Sequence, residues 1–282
     1  MISRPQRTLK SSVSLQGIGL HTGEPCMMVL EPAPADAGIV FLTPHGEVRA
    51  SVDSVSATVR CTTLRSGEAE VSTVEHVLAA LSGMWVDNAC IRVDGPEVPA
   101  GDGSALPFVE LIEQAGVEPQ TGQPRTVEIG HPVWVADGDK YNLAVPSTGL
   151  RVSGFVSFSH PMIGEQAVSV CVTPEVFKRE IAPARTFCTA EEIEALLAAG
   201  LGRGGSVDNV LVVHQDHYSP GLRFPDEIVR HKVLDLIGDL SLAGGTIAAD
   251  VTGIKSSHAQ NVALVRRILG RTSEQSGARR VM

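Results

Sequence analysis

The sequence is poor in aromatic residues and in positive charge, and each shortage excludes something. Phe, Trp and Tyr together make up only 4% of the 282 residues, so a core must be built mainly from Val, Leu, Ile and Ala. The formal net charge of −9 argues against a nucleic-acid-binding protein, because such proteins need an extended basic surface. An anionic small molecule could still bind where a few Lys and Arg side chains converge.

Cysteine pairs and long apolar runs are also missing. The five cysteines are odd in number and widely spaced, and they form no CxxC pair, so neither a disulfide framework nor a cysteine zinc site is predicted. Free thiols of this kind are typical of the reducing cytosol. The first residues, MISRPQRTLKSSVSL, contain no apolar signal core, and no apolar run approaches membrane-spanning length. We expect a cytoplasmic monomer without stable membrane insertion.

Two stretches of the chain repeat one order of elements. In the first, the predicted helix STVEHVLAALSG follows several short strand-like runs and precedes the strand NACIRV and the helix ALPFVELIEQAG. In the second, a helix containing RHKVLDLIGDL precedes the strand GTIAADVTG and a last helix from about His258 to Leu269. The polar segment from Val117 to Arg125 is the best candidate for a linker. The pattern favours a duplicated α+β unit with domains over residues 1–120 and 121–282.

The helix RHKVLDLIGDL carries a polar stripe that allows two interpretations. His231, Asp235 and Asp239 recur every four residues, roughly opposite the apolar face. On a single amphipathic helix, such a stripe is typical of a solvated surface and contributes little energy. Alternatively, His231 and Asp235 lie one turn apart and point together, as two metal ligands can.

A third metal ligand would have to come from the other half of the chain. A catalytic zinc needs three protein ligands and an open position for water, and His76 lies off the apolar stripe of the equivalent helix. Glu75 would then be placed as a general base for that water. Alternatively, Glu75 completes a helix capping box with Ser72 and has no catalytic role. Spacing alone leaves both roles open.

Longer motifs, in a fixed order along almost the whole chain, resemble the family of UDP-3-O-acyl-N-acetylglucosamine deacetylases. These motifs are QRTLKSSVSLQGIGLHTG, CTTL, VSTVEHVLAALSGMWVDNACI, GPEVPAGDGSALPF, ARTF, GGSVDNVLVV, LRFPDEIVRHKVLDLIGDL and KSSHAQN. The resemblance implies an α+β fold of two similar domains, each a β-sheet layered against two helices, with the active site between them. It also implies a cytoplasmic zinc amidase of Gram-negative bacteria. Such an enzyme releases acetate from UDP-3-O-(3-hydroxyacyl)-N-acetylglucosamine and leaves a free 2-amine, the committed step of lipid A biosynthesis.

The resemblance also implies which residues perform the chemistry. Zn²⁺ would be held by three ligands: His76, His231 and Asp235. Glu75 would activate the attacking water, and Thr186 would help to stabilise the oxyanion.

Further roles follow from the same resemblance. His258, oriented by Asp239, would stabilise the developing charge or protonate the leaving amine. Lys232 would contact the phosphate or sugar of the substrate. Two aromatic side chains would line the nucleotide-sugar region: Phe187 and Phe158. The acyl chain would occupy an inserted βαβ element at about residues 187–213.

Some positions depart from the family pattern. Cys188 after ARTF and Ser257 before the final His stand where Gly is common, and HAQN replaces HALN. These departures bear on acyl length and rate rather than on the reaction class. Two alternatives remain: a paralogue that hydrolyses a different N-acyl sugar, and a non-catalytic regulatory or binding homologue. The latter is disfavoured because five site residues are all present: Glu75, His76, His231, Asp235 and His258.

Overall fold

The structure, a computed structural model, describes residues 4–270. The first half of the chain contributes ten strands: β1 (Arg7–Leu9), β2 (Val13–Ile18), β3 (Pro25–Pro32), β4 (Ile39–Thr43), β5 (Gly46–Arg49), β6 (Val55–Ala57), β7 (Thr63–Ser66), β8 (Ala69–Val71), β9 (Ala89–Val93) and β10 (Val117–Pro119). Its helices are α1 (Glu75–Gly83) and α2 (Leu106–Ala115), and a 3-10 turn covers Val52–Ser54.

The second half contributes nine strands: β11 (Thr126–Glu128), β12 (Val133–Asp137), β13 (Lys140–Pro146), β14 (Leu150–Ser157), β15 (Glu165–Cys171), β16 (Phe187–Thr189), β17 (Leu211–Val213), β18 (Tyr218–Ser219) and β19 (Thr246–Ile254). Its helices are α3 (Pro174–Val176), α4 (Ile193–Ala198), α5 (Glu227–Ser241) and α6 (His258–Ile268). A π-helical turn covers Phe177–Ile181, and a 3-10 turn covers Ala190–Glu192.

The main sheets of the two halves have the same strand order. The first runs β2-β3-β9-β4-β5 and the second β12-β13-β19-β14-β15, with β11 also paired to β19. In each, the central strand is antiparallel to one neighbour and parallel to the other. The helices α1 and α2 flank β9 along the chain, as α5 and α6 flank β19. The predicted α+β class and the repeated helix–strand–helix order are confirmed.

The helices α1, α2, α5 and α6 lie between the two sheets. The apolar residues of β3 alternate between buried and exposed positions, as expected for a sheet with one covered face. The helix α5 packs against β14, β15 and β19 on one side and against α1 on the other. The apolar core is continuous through both halves of the chain.

Because α5 is covered on both sides, its polar stripe is buried. His231, Asp235 and Asp239 are 3%, 2% and 0% exposed. The interpretation of this stripe as a solvated surface is therefore wrong. Three buried ionisable side chains on one helix require partners, and these come from α1, from α6, from α5 itself and from nearby loops.

The capping box predicted for α1 does not form. The helix begins at Glu75 and Val74 is its N-cap, without a capping hydrogen bond from that side chain. The hydroxyl of Ser72 instead hydrogen-bonds the hydroxyl of Thr63 (3.1 Å). The chain enters α1 through Thr73, whose φ of +57° makes a sharp turn. Glu75 is thereby released from any capping role.

The predicted linker from Val117 to Arg125 is not a free connection. Its first three residues form β10, which pairs antiparallel with β1. Further along, the N–H of Gln6 donates to the carbonyl of Gly122 (3.1 Å), and the N–H of Thr246 donates to the carbonyl of Arg125 (2.9 Å). Both ends of the segment are therefore tied to the sheets.

The predicted βαβ insert is confirmed. Strands β16 and β17 are parallel neighbours, joined through the turn at Ala190–Glu192 and α4, and β18 extends this small sheet. The Gly-rich run after α4 reaches the first half of the chain, where the N–H of Gly204 donates to the carbonyl of Leu20 (3.0 Å). None of the helices within residues 4–270 has the length and apolar character needed to cross a membrane.

Candidate metal centre and active site

The structure brings together the three residues predicted as metal ligands. The distance from His76 Nε2 to Asp235 Oδ1 is 3.6 Å, and that from His231 Nε2 to the same oxygen is 3.3 Å. One ligand atom from each residue lies within 4.8 Å of the others. The side chains of α1 and α5 thus converge on one point, although His76 and His231 are far apart in sequence.

This convergence fits a metal cation. Asp235 Oδ1 is buried and has no hydrogen-bond partner among the described residues, and an unpaired buried carboxylate oxygen is costly. The other oxygen accepts a hydrogen bond from Lys232 Nζ (2.7 Å). Burial opposes ionisation of Asp235, but the nearby side chains of His231 and Lys232 hold its pKa well below the ordinary value. A bound cation would therefore satisfy Oδ1 of Asp235.

The second imidazole is oriented for ligation. His231 Nδ1 lies 3.1 Å from the backbone carbonyl of Ala184, a contact that keeps the proton on Nδ1 and leaves Nε2 free for a metal. Burial lowers the pKa of His231 to about 4. The ring is therefore a neutral donor at neutral pH.

Glu75 occupies the first position of α1 and lines the same cavity as the three candidate ligands. Its side chain is buried, and the backbone N–H of Thr62 donates to Oε2 (2.9 Å). Burial raises the pKa of Glu75. A carboxylate that is held at one oxygen and has raised basicity can take a proton from water.

His258 begins α6 and is held by Asp239. The Nδ1–H of His258 donates to Asp239 Oδ2 (2.9 Å), while the Thr62 hydroxyl donates to Oδ1 (2.6 Å) and the Asn261 amide to Oδ2 (2.8 Å). Burial alone would lower the pKa of His258, but the charge and hydrogen bond of Asp239 outweigh it and raise the pKa to about 9. His258 is therefore a cation at neutral pH.

A cavity of about 1000 Å³ surrounds these groups. The remaining predicted site residues that line it are Phe158, Thr186, Phe187 and Lys232. Asp239 is fully buried and stands behind His258, away from the cavity wall. All ten predicted residues therefore belong to the cavity or to its immediate support.

Phe158, Phe187 and Lys232 are part of the cavity lining. The ring of Phe187 lies edge-on to His231, with 6.2 Å between centroids, and is 6.0 Å from the ring of Phe158. Phe158 is 39% exposed. Lys232 does not stand free, because its ammonium pairs with Asp235.

Two residues at this site were not predicted from the sequence, Thr62 and His21. Thr62 supports both Glu75 and Asp239, and His21 lines the cavity with Nδ1 accepting from the N–H of Gly202 (3.3 Å). Burial lowers the pKa of His21. Thr62 lies in CTTL and His21 in GIGLHTG. Both motifs are evident in the sequence, but a local pattern does not indicate which distant residues these side chains contact in the fold.

The sequence is similar to those of known proteins of one family. The sequence model of a family described as UDP-3-O-acyl N-acetylglycosamine deacetylase (LpxC) matches residues 6–270. A protein of Anaeromyxobacter sp. (strain Fw109-5), named UDP-3-O-acyl-N-acetylglucosamine deacetylase, is 48% identical over 270 residues, which cover 94% of this chain and 88% of the relative.

Two further relatives carry the same name. That of Anaeromyxobacter dehalogenans (strain 2CP-C) is 46% identical over 275 residues, with 95% of this chain and 89% of the relative covered. That of Syntrophotalea carbinolica is 43% identical over 270 residues, with 94% and 87% covered. The family model spans residues 6–270, a range that contains the candidate metal ligands and the cavity lining, and the relatives cover 94–95% of this chain, so the chain belongs to the LpxC family of UDP-3-O-acyl-N-acetylglucosamine deacetylases.

Proposed function

We propose that this protein is a zinc-dependent deacetylase of lipid A biosynthesis. It hydrolyses the acetamide of UDP-3-O-(3-hydroxyacyl)-N-acetylglucosamine and gives acetate and the free 2-amine. The observation that carries the proposal is the unpartnered Oδ1 of Asp235, which two histidines face in a chain of this family. The protein acts as a monomer in the cytoplasm.

The metal in this proposal is zinc, held by His76, His231 and Asp235. Two imidazole nitrogens and one carboxylate are a ligand set that catalytic zinc sites use. A zinc ion in such a site supplies Lewis acidity, which activates water and polarises a carbonyl oxygen.

The proton of the attacking water goes to Glu75. Its carboxylate is adjacent to His76 in sequence and faces the cavity, and the hydrogen bond from Thr62 fixes its orientation. Its raised pKa brings it closer to the range in which general bases work at neutral pH.

Two side chains are proposed to stabilise the negative charge that develops on the substrate, the His258 cation and the Thr186 hydroxyl. His258 is protonated and oriented by Asp239, so it stabilises the oxyanion or gives its Nε2 proton to the leaving amine. Thr186 lies at the start of the βαβ insert, where its N–H donates to the carbonyl of Gly103 (2.8 Å). Its hydroxyl is proposed as a second donor to the oxyanion.

The rest of the cavity suits a nucleotide sugar with an acyl chain. Lys232 is proposed to contact the phosphate or sugar, and Phe187 and Phe158 to line the nucleotide-sugar region. The wall formed by α4 and its neighbours is apolar and includes Ile193, Leu196, Leu197, Leu201, Val210 and Val212. An acyl chain buried there gains about 0.8 kcal/mol per methylene.

In this proposal each half of the chain is a domain, 1–120 and 121–282, and the reaction takes place between them. The division is supported by the repeated strand order and by the origin of the groups. Glu75 and His76 come from the first half, whereas His231, Asp235 and His258 come from the second.

The direct experiment measures acetate release from the UDP-linked acyl-N-acetylglucosamine by purified protein, together with its zinc content. We expect about one zinc per chain and turnover that Glu75→Gln reduces by about 10²–10⁴-fold while zinc is retained. Release from a different N-acyl sugar only would identify a paralogous activity. Absence of hydrolysis with every N-acyl sugar, at full zinc content, would identify a non-catalytic homologue.

A further inference from the structure

Glu97 is a buried carboxylate that the proposed chemistry does not use. It is 1% exposed, yet it takes part in no ion pair within the part of the chain that the structure describes. Four donors converge on its two oxygens: the N–H groups of His21 (3.0 Å) and Thr22 (2.8 Å), the hydroxyl of Thr22 (2.8 Å) and the hydroxyl of Thr73 (2.6 Å). An ionised carboxylate suits this cluster because it only accepts hydrogen bonds.

One of these bonds reaches the start of α1. Thr73 stands two residues before Glu75, and its φ of +57° is rare for a β-branched residue. Its hydroxyl bond to Glu97 holds this turn in place. The adjacent chain also fixes Glu97, since the N–H of Ser72 donates to the carbonyl of Pro96 (2.9 Å) and the N–H of Val98 to the carbonyl of Ser72 (3.1 Å). The direction in which α1 begins therefore depends on Glu97.

The other bonds hold the segment 19–23, which lies between Glu97 and the Gly-rich run of the insert. Gly19 permits close approach, because an added Cβ would lie 2.9 Å from the carboxyl carbon of Glu97. On its far side, an added Cβ at Gly204 would lie 3.2 Å from the carbonyl carbon of Gly19.

The segment 19–23 hydrogen-bonds that run directly. The N–H groups of Gly204 and Arg203 donate to the carbonyls of Leu20 (3.0 Å) and His21 (3.3 Å). The same run continues into the wall of the cavity that we propose for the acyl chain.

We infer that Glu97 is a positioning residue for the deacetylation. Its carboxylate links the start of α1, which carries Glu75 and His76, to the segment 19–23, which supports the acyl wall. The inference rests on the proposed function. Glu97 does not touch the reacting atoms; it acts through Thr73 on the geometry of the base and the first ligand, and through His21 and Thr22 on the fit of the acyl chain.

The test uses three substitutions in the zinc-loaded full chain, with UDP-linked substrates that carry a long or a short 3-hydroxyacyl chain. Glu97→Gln keeps the shape but puts an amide among four donors. We expect its kcat to fall by about tenfold or more on both substrates, the factor that corresponds to a lost hydrogen bond to a charged acceptor. We also expect its KM to rise more for the long chain than for the short one.

Two further substitutions separate the two effects. Thr73→Val keeps the β-branched shape and removes the hydroxyl, so it should lower kcat alone. Thr22→Val should raise KM for the long-chain substrate alone. Glu68→Gln, at an exposed position in the turn between β7 and β8, is the matched control and should change neither constant.

A folded, zinc-loaded Glu97→Gln protein with kcat and chain-length preference within about twofold of the wild type would overturn the inference. Lower thermal stability of Glu97→Gln with unchanged kcat and KM would also overturn the inference, because it would show that Glu97 has a purely structural role. If Glu97→Gln does not fold, unchanged constants for both Thr73→Val and Thr22→Val overturn it. A wild-type protein that releases no acetate would instead overturn the proposed function.

Discussion

Gly238 offers a direct test of whether the distance between α1 and α5 controls the site. It lies in α5 where the two helices cross, one residue before Asp239. A Cβ added there would lie 2.8 Å from the carbonyl carbon and 3.0 Å from the Cα of Glu75, and closer still to its carbonyl oxygen. Replacement by Ala must therefore push the beginning of α1 away from α5.

The size of the effect follows from ordinary contact distances. Non-bonded carbons prefer separations of about 3.5–4.0 Å, so Gly238→Ala requires a displacement of about 1 Å. Overpacking of this kind costs about 1–3 kcal/mol of stability. A misplacement of about 1 Å at a reacting group can reduce turnover by about 10²-fold. Because Glu75 and His76 move together, both turnover and zinc affinity should fall.

The assay compares kcat, zinc content and urea unfolding of Gly238→Ala with the wild type. Gly130→Ala is the control, since a Cβ there meets nothing within 4 Å. If there were no clash, Gly238→Ala should instead increase stability, because Ala stabilises a helix interior by about 1 kcal/mol relative to Gly. A Gly238→Ala protein that is more stable and has wild-type kcat would refute the reasoning.

Two further predictions concern the metal and a buried ion pair. Chelation should lower the thermal midpoint of the wild type, because bound metal stabilises the folded state by mass action. His76→Ala should bind zinc weakly, so chelation should change its midpoint little. An equal fall in midpoint for both proteins would contradict the ligand assignment. Replacing Glu227 with Gln should cost about 3–5 kcal/mol at neutral pH, because it leaves the buried guanidinium of Arg185 unpaired. Burial opposes ionisation of Glu227, but hydrogen bonds from Arg185 and Arg223 hold its pKa below the ordinary 4.5. A lowered folded-state pKa stabilises above pH 4.5, and this stabilisation is lost as pH falls further; the unfolding free energies of wild type and variant should therefore converge in acid, and parallel curves would contradict the pairing.

The sequence predicted the helices and the strands where the signal was local, and long motifs indicated the candidate ligands. The four-residue spacing of His231 and Asp235 indicated a shared direction, but it could not show whether that side of α5 was solvated. Burial of the stripe depends on α1, which is distant in sequence. The resemblance, rather than the spacing, favoured a metal site on that side of α5.

The failures have a common cause. Ser72 and Glu75 fit a capping box by spacing, but Ser72 bonds Thr63 and the helix starts at Glu75. The composition of the polar segment after α2 indicated a connection between the two halves, but it gave no sign of the pairing with β1, which joins residues far apart in the chain. Thr62 was missed for the same reason, since its partner Asp239 lies 177 residues away. Local patterns contain no information about such partners.

The repeated strand order has a consequence for how the residues of the site are distributed between the two halves of the chain. The helices α1 and α5 hold equivalent places, each before the central strand of its sheet, and each carries one of the facing histidines. Four residues after His76 the chain has Ala80, whereas four residues after His231 it has Asp235. If two identical chains formed such a site about an exact two-fold axis, every substitution in one chain would also be present in the other. Two halves in one chain can differ, so the two histidines stand beside a candidate third ligand, Asp235, and a candidate base, Glu75, each of which occurs only once.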